Sequence, residues 1–296
     1  MKTIIKALLI LGMLINIYLV INDILKRIHT DKGRYDWEFG KKNIVWNSMV
    51  GLIGNFFDTF GLGSFATSSF LFKIHHSVHD IDVPGTLNVG NSIPVSLQAL
   101  IFLSLVNIDI KTLVCLIISA VLGAFLGVKF VTKWNKRSIR FGMGIGLLLL
   151  GIFMIMNNIN IIPLNLTGTS LKLTGYKLVI AMIINFFLGA LMNLAVGLYA
   201  PCMALVSVLG MEIKAAFPIM MNSSAFLMSY GNGPRFIKEG RYDMIASLCQ
   251  MVAGSIGVVI AAFLINKLPI FILTWIFACV VLYSSFLYLR DAFIKK

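Results

Sequence analysis

The sequence predicts an all-α polytopic membrane protein, and three features support that prediction. Of its 296 residues, 58% are apolar and only 12% are charged, which is about half the charged share of a soluble domain. The mean hydropathy is +0.91. Five segments without Asp, Glu, Lys or Arg each exceed the ~20 residues that a helix needs to cross a bilayer. They are residues 83–108, 141–171, 178–211, 244–266 and 268–289. A soluble globular enzyme is therefore excluded.

The net charge of +13 comes from Lys and Arg residues in short segments between the apolar spans. In that setting basic residues report the orientation of a chain in the bilayer rather than a polyanionic ligand. We therefore expect membrane lipid as a partner and no nucleic acid. A homo-oligomer is compatible with the sequence.

The N-terminal segment 1–43 begins with two lysines and an apolar stretch, which is also typical of a signal peptide. No small-x-small cleavage site follows, so we interpret this stretch as a retained transmembrane helix. The basic residues after it predict a cytoplasmic loop that extends to residue 43.

Two uncharged or nearly uncharged segments, residues 43–72 and 178–211, are too long for one straight span of ~30 Å. Both contain helix breakers near the middle, "DTFGLGSFATSS" in the first and "NLAVGLYAPC" in the second. Each is interpreted as two half-helices joined by an irregular turn. Unwound backbone at that depth is tolerated only where protein or a polar cavity satisfies it, so both turns indicate function.

The chain also predicts an internal duplication. When it is laid on itself so that Pro84 meets Pro218, Asn88 meets Asn222 without a gap, and the order of features is the same in both halves. We therefore expect two repeats, residues 44–160 and 176–290. Each contains a broken or re-entrant helical segment and about three transmembrane helices, and one extra N-terminal helix precedes them.

The distribution of Lys and Arg favours one path through the membrane. If both broken segments are re-entrant hairpins, most Lys and Arg residues lie on one side, whereas single crossings give no decisive excess on either side. This path predicts a multi-pass protein of the cell membrane with a cytoplasmic C-terminus. The two hairpins then open from opposite sides, and inverted repeats with broken helices are typical of alternating-access transporters.

The turns of the two broken segments predict an anion site. A half-helix that begins inside the bilayer presents unpaired N–H groups and the positive end of its dipole. Hydroxyl and amide side chains near both turns could add donors. The alternatives are close helix packing through small residues and hydrogen bonds that only hold the bundle together. The predicted substrate-binding residues are Gly61, Gly63, Ser64, Thr67, Asn88, Asn91, Gly197, Leu198, Asn222 and Ser223.

Asp58 is the acidic residue that the sequence places within the hydrocarbon region. An intramembrane carboxylate predicts a functional role, and two roles fit: carrying a proton or coordinating Na⁺. The alternative is a carboxylate at the mouth of the hairpin that simply reaches water.

No metal, cofactor or catalytic residue is predicted. The motif "HHSVHD" has metal-like spacing, but its position in a loop favours a solvated polar turn. The sequence contains no Gly-x4-Gly-Lys-Ser/Thr phosphate loop, so this chain alone is not an ATP-driven pump. We therefore expect a protein that is not an enzyme.

The Gly-rich segment "GLIGNFFDTFGLGSFATSS" and the turns "NID" and "GRYD" resemble the sulfite exporter TauE/SafE family. The likeness covers about residues 44–290 and leaves the first helix outside. It implies secondary transport, often outward, of small sulfur-containing anions such as sulfite, sulfoacetate or related organosulfonates. The rival interpretations are an anion channel and a membrane-embedded enzyme or maturation factor of sulfur or lipid metabolism.

Overall fold

The structure is a computed structural model that describes residues 1–159, 161, 169–264 and 270–294. Within these ranges the regular elements are helices, apart from a single bridge between Ser170 and Met211. The predicted all-α fold class is therefore confirmed for the described part of the chain. Residue 160, the last of the first predicted repeat, lies outside the described residues.

Fourteen α-helices lie within the described ranges. The first seven are α1 (Lys2–Arg27), α2 (Asp31–Lys42), α3 (Ile44–Asp58), α4 (Ser64–His75), α5 (Val83–Gly90), α6 (Ser92–Leu105) and α7 (Ile110–Val131). The other seven are α8 (Lys136–Asn158), α9 (Gly175–Leu191), α10 (Tyr199–Val208), α11 (Ala216–Phe226), α12 (Gly233–Lys238), α13 (Met244–Leu264) and α14 (Ile270–Ile294). A 3-10 turn, Met192–Leu194, extends α9, and a π-helical turn, Leu227–Asn232, joins α11 to α12.

Five of the described helices, α1, α7, α8, α9 and α13, are long and apolar enough to cross a bilayer. The pair α5–α6, which is bent by 43°, adds a sixth candidate if it is one span. Large apolar side chains cover the outside of these helices: Phe263 is 83% exposed and Val252 is 66% exposed. Such a surface fits lipid, which solvates apolar side chains as well as a protein core does.

The segment predicted as a basic loop after the first helix is instead the helix α2. The hydroxyl of Thr30 accepts a hydrogen bond from the Gly33 N–H at 3.1 Å and caps its N-terminus. Asp31 lies in the first turn, and Lys41 and Lys42 lie in the last turn, where each charge suits the helix dipole. The loop prediction followed the high charge of the segment and overlooked these capping signals.

The first broken segment folds back on itself. At its base, the indole N–H of Trp46 in α3 donates to the carbonyl of Leu71 in α4 at 3.3 Å. The same indole stacks on His75 with ring centroids 4.5 Å apart. Because the start of α3 contacts the end of α4, these two helices form a hairpin whose tip is the turn at residues 59–63.

The second broken segment makes the same kind of hairpin. The ammonium of Lys177, near the start of α9, donates to the carbonyl of Leu209, just after α10 ends, at 3.1 Å. The tip of this hairpin comprises the 3-10 turn and residues 195–198.

Six of the helices pack against one another in pairs: α3 contacts α13, α9 contacts α7, and α8 contacts α14. Two glycines allow these backbones to approach closely. A Cβ at Gly123 would lie 1.9 Å from the carbonyl oxygen of Phe186, and one at Gly257 would lie 2.3 Å from that of Leu52. The pairs α7–α9 and α3–α13 therefore each depend on a residue without a side chain at the crossing.

The connecting segments gather at two ends of the bundle. At one end, here called the basic end, Arg241 donates to the carbonyl of Thr132 at 2.7 Å, and Arg140 pairs with Asp80. At the other end, the Asp109 N–H donates to the carbonyl of Leu171 at 3.0 Å. The first hairpin has its base at the basic end and the second has its base at the other end.

Candidate functional site

The first turn lies at the tip of its hairpin and is built on two glycines. Gly61 and Gly63 have φ values of +84° and +85°, a region in which residues with a Cβ are strained. They let the chain reverse within five residues between Asp58, where α3 ends, and Ser64, where α4 begins. The first N–H groups of α4 consequently point into the middle of the bundle.

Asp58 caps this half-helix from within the bundle. One carboxylate oxygen accepts a hydrogen bond from the backbone N–H of Ser64, and the other accepts from the side-chain amide of Gln98 at 3.0 Å. The Asp58 residue is only 2% exposed, so the alternative of a carboxylate that reaches water at the hairpin mouth does not fit its position. Among the described residues, no Lys, Arg or His pairs with it within 4 Å.

Gln98 connects Asp58 to the second turn. Its carbonyl oxygen accepts a hydrogen bond from the hydroxyl of Tyr199 at 3.0 Å, and Tyr199 is the first residue of α10. Tyr199 was not among the site residues predicted from the sequence. Its position immediately after the second glycine turn was the one signal available, because the contact with Gln98 spans more than one hundred residues.

The second turn reaches the same place from the opposite end of the bundle. Ala195 adopts the left-handed conformation with φ +56°, which costs a residue with a Cβ about 1–2 kcal/mol. Gly197 follows, and a Cβ there would lie 3.9 Å from the Cβ of Phe65 in α4. The two turns are therefore in contact range of each other.

A small cavity lies between the two turns. It is lined by Asp58, Gly63 and Ser64 from the first turn, by Gly197, Leu198 and Tyr199 from the second, and by apolar side chains. Its volume is about 10 Å³, the lower limit for a single water molecule. A ligand larger than a water molecule therefore fits between the two turns only if they separate.

Asn88 lies next to the second turn, and its amide is already hydrogen-bonded. Its side-chain nitrogen donates to the carbonyls of Pro84 and Met192 at 2.8 and 2.9 Å, and its oxygen accepts from Asn232 at 2.8 Å. In this conformation Asn88 fastens the start of the second turn and does not line the cavity.

The remaining predicted polar residues surround the first turn or lie in α11, outside the cavity lining. Asn91 donates to the hydroxyl of Ser64 at 3.4 Å, and Ser223 accepts from Asn185 at 3.3 Å. The Thr67 hydroxyl and the Asn222 side-chain oxygen are buried and have no hydrogen-bond partner among the described residues. Gly61 packs against the methionines of α10 and α11.

The histidine-containing loop does not assemble a metal-like cluster. His75 stacks on Trp46, and His79 stacks on Phe39 with centroids 4.9 Å apart. Across the described ranges, no group of three or more His, Cys, Asp or Glu side chains has the geometry to hold a metal ion.

A cluster of buried charges that was not predicted from the sequence lies at the base of the first hairpin. Lys73 pairs with Asp80 at 2.8 Å and with Asp291 at 2.9 Å, and Arg140 pairs with Asp80 at 2.7 Å. Burial raises the pKa of Asp80, but the neighbouring Lys73 and Arg140 outweigh this effect and hold that pKa below its usual value. We call these four residues the basal ion cluster.

Comparison with known proteins identifies the family. The model of the family described as Sulfite exporter TauE/SafE matches residues 2–154, just over half of the chain. The match includes the N-terminal helix, which the motif-based resemblance left outside. No curated protein and no solved structure matches the chain. With its apolar helices, this multi-pass membrane protein belongs to the TauE/SafE sulfite exporter family, a family of membrane transporters.

Proposed function

We propose that this protein is a secondary transporter that exports small sulfur-containing anions, such as sulfite, sulfoacetate or other organosulfonates, by alternating access coupled to H⁺ or Na⁺. The main observation in support of the proposal is that two broken helical segments meet at one cavity beside Asp58. Family membership supplies the sulfur-containing substrate class.

The contacts between helices support an architecture of two inverted repeats. The alignment that pairs Pro84 with Pro218 also pairs Gly123 with Gly257 and Leu52 with Phe186. The close approaches of Gly123 to Phe186 and of Gly257 to Leu52 are therefore the same contact made once in each direction. The hairpins open at opposite ends of the bundle, as inverted repeats require.

The half-helix N-termini support an anion as the substrate. Both α4 and α10 begin at the cavity, so their N–H groups and positive dipole ends converge on it. We propose that the substrate-binding residues are those predicted from the sequence, with Gly63, Ser64, Gly197 and Leu198 at the cavity itself. Thr67, Asn88, Asn91, Asn222 and Ser223 would join them only after the turns separate.

The position of Asp58 supports coupling to a cation. It is buried at the tip of the hairpin without a described ion-pair partner, and a lone charge at membrane depth is costly. A proton or a Na⁺ ion relieves that cost. A transporter that must carry this cation together with the substrate links the flux of the anion to the gradient of the cation.

Transport by purified protein in liposomes tests the proposal. The liposomes are loaded with sulfite or sulfoacetate, and efflux is measured with and without an imposed H⁺ or Na⁺ gradient. We expect saturable flux that responds to one of the two gradients. Flux that rises linearly with concentration and ignores both gradients would indicate a channel, and a chemically altered product would indicate an enzyme.

A further inference from the structure

We propose that the Asp58 carboxylate is an internal competitor of the transported anion for the N-terminus of α4, and that a proton on Asp58 opens the site. This inference rests on the proposed anion transport and adds the coupling ion and the order of events. It starts from the fact that a carboxylate already occupies the place where an anion would bind: it accepts from the Ser64 N–H and lines the cavity.

The hydrogen bonds of Asp58 favour a proton over Na⁺. Both of its oxygens accept from N–H groups, one from the backbone of Ser64 and one from the amide of Gln98. The carbonyl oxygen of Gln98 is turned away and accepts from Tyr199. A hard cation such as Na⁺ needs several oxygen ligands, whereas the groups that face this carboxylate are mainly hydrogen donors.

Protonation of Asp58 weakens one of these contacts. The hydroxyl oxygen of a carboxylic acid is a much poorer acceptor than a carboxylate oxygen, so the N–H that faces the protonated oxygen loses most of its hydrogen bond. If the proton is on the oxygen that faces Ser64, the Ser64 N–H loses its acceptor. If it is on the oxygen that faces Gln98, the Gln98 amide rotates to present its oxygen, and the Tyr199 hydroxyl loses Gln98 as an acceptor.

Either outcome releases a donor into the cavity, because Ser64 and Tyr199 both line it. Protonation also removes the negative charge that repels an incoming anion. Proton binding and anion binding therefore strengthen each other, and by linkage the anion must increase proton affinity by the same factor.

The titratable residues of the helices around Asp58 favour Asp58 itself as the group that gains and loses a proton at this site. Tyr199 and Cys202 are the titratable residues of α10, and α6, which carries Gln98, has none. The charged residues of α4 lie at its far end, where Lys73 belongs to the basal ion cluster. Cys249, the titratable residue of α13, contacts the carbonyl of Ile44 at the start of α3.

Linked binding means that the proton and the anion travel in the same direction. A dianion such as sulfoacetate that moves with one proton still carries one negative charge. A membrane potential that is negative inside drives this charge outward, by about 2.3 kcal/mol per 100 mV. Proton coupling of this kind is therefore compatible with export.

The test measures anion binding and proton uptake in the same detergent-purified protein. The probes are methanesulfonate and sulfoacetate, because their charges stay constant between about pH 5.5 and pH 8.5, whereas sulfite itself titrates. We expect sulfonate binding to take up close to one proton per anion at the alkaline end. The apparent affinity should fall by up to about tenfold for each pH unit upward.

Asp58→Asn and the matched control Asp109→Asn complete the test. Asp109 caps α7 at the opposite end of the bundle through the Thr112 N–H, and Asn is an equally good cap. Asp58→Asn should bind sulfonate with no pH dependence and no proton uptake, while Asp109→Asn should behave like the unmodified protein.

The outcomes separate this inference from the proposed function. Sulfonate binding by the unmodified protein without proton uptake overturns the competitor role of Asp58 and leaves the anion transporter standing. Retention of the pH dependence in Asp58→Asn also overturns it. If Asp58→Asn does not fold, proton uptake by the unmodified protein alone decides. The absence of binding by any sulfonate or sulfite at any pH contradicts both proposals.

Discussion

The two ends of the first hairpin treat buried carboxylates in opposite ways. At the tip, Asp58 is 2% exposed, and among the described residues it has hydrogen-bond donors but no ion-pair partner. At the base, Asp80 and Asp291 are 8% and 1% exposed and share Lys73 between them. Burial alone therefore does not separate a structural acid from a functional one.

The difference assigns the two ends different roles. A paired charge holds one arrangement, because separating it leaves an uncompensated buried ion. The basal ion cluster joins α4, α8 and α14, so it fixes the base of the hairpin. An acid that lacks a counter-ion can instead respond to a proton, which suits the tip.

The largest effect is expected at the base. Asp80→Asn removes one charged partner of Arg140 and one of Lys73, and it should cost about 3–5 kcal/mol in the free energy of unfolding. Thermal and denaturant unfolding in detergent measure this cost, with Asp109→Asn as the control. A loss no larger than that of the control would show that the basal ion cluster does not hold the hairpin.

Asp58→Asn should have the opposite profile, with a large effect on transport and a small one on stability. The amide oxygen can still accept from the Ser64 N–H, so the free energy of unfolding should change by less than about 1 kcal/mol. Substrate exchange across liposome membranes should persist, and gradient-driven accumulation should be lost. A destabilisation as large as that of Asp80→Asn would remove the contrast between the two ends.

The base of the hairpin should make its own contribution to the pH dependence of stability in acid. The folded-state pKa of Asp80 lies below its usual value because of Lys73 and Arg140. Its contribution is therefore fully present above the unfolded pKa, about 4, and is lost as the pH falls through the lower folded value. The stability gap between the unmodified protein and Asp80→Asn should shrink below about pH 4. A gap that stays constant in acid would contradict this ion-pair account.

The smallest effect is expected from Tyr199→Phe. This change removes one hydroxyl donor from the cavity and keeps the buried ring. Losing one hydroxyl hydrogen bond to a charged acceptor should weaken sulfonate affinity at low pH by about 10-fold. Titration of methanesulfonate measures this affinity. The control is Tyr283→Phe, which removes a hydroxyl from a residue of α14 that is 52% exposed. Equal affinities in both variants would place Tyr199 outside the anion site.

The sequence alone predicted the parts of this site that depend on local chemistry. The glycines of the two turns, the excess length of both segments and the intramembrane Asp58 were all visible in the order of residues. The breaks in the helices appear where those glycines predicted them. The family resemblance also followed from these motifs and is confirmed.

The sequence could not predict the contacts that join distant segments. Gln98 links the two turns through Tyr199, and no spacing rule connects these residues. The basal ion cluster likewise unites Lys73, Arg140 and Asp291 from three separate helices. Such partners become neighbours only when the helices pack. The ion pairs of Asp80, and the lack of a described ion pair at Asp58, are therefore visible only in the structure.

The most direct test of the account is sulfoacetate accumulation in liposomes that are alkaline inside, with the membrane potential clamped. The unmodified protein should concentrate sulfoacetate inside above the external level, because protons and anion enter together. Asp58→Asn should only equilibrate it. Equal accumulation by the variant, or none by the unmodified protein under this gradient, would contradict the claim that Asp58 couples a proton to an anion at the meeting point of the two broken helices.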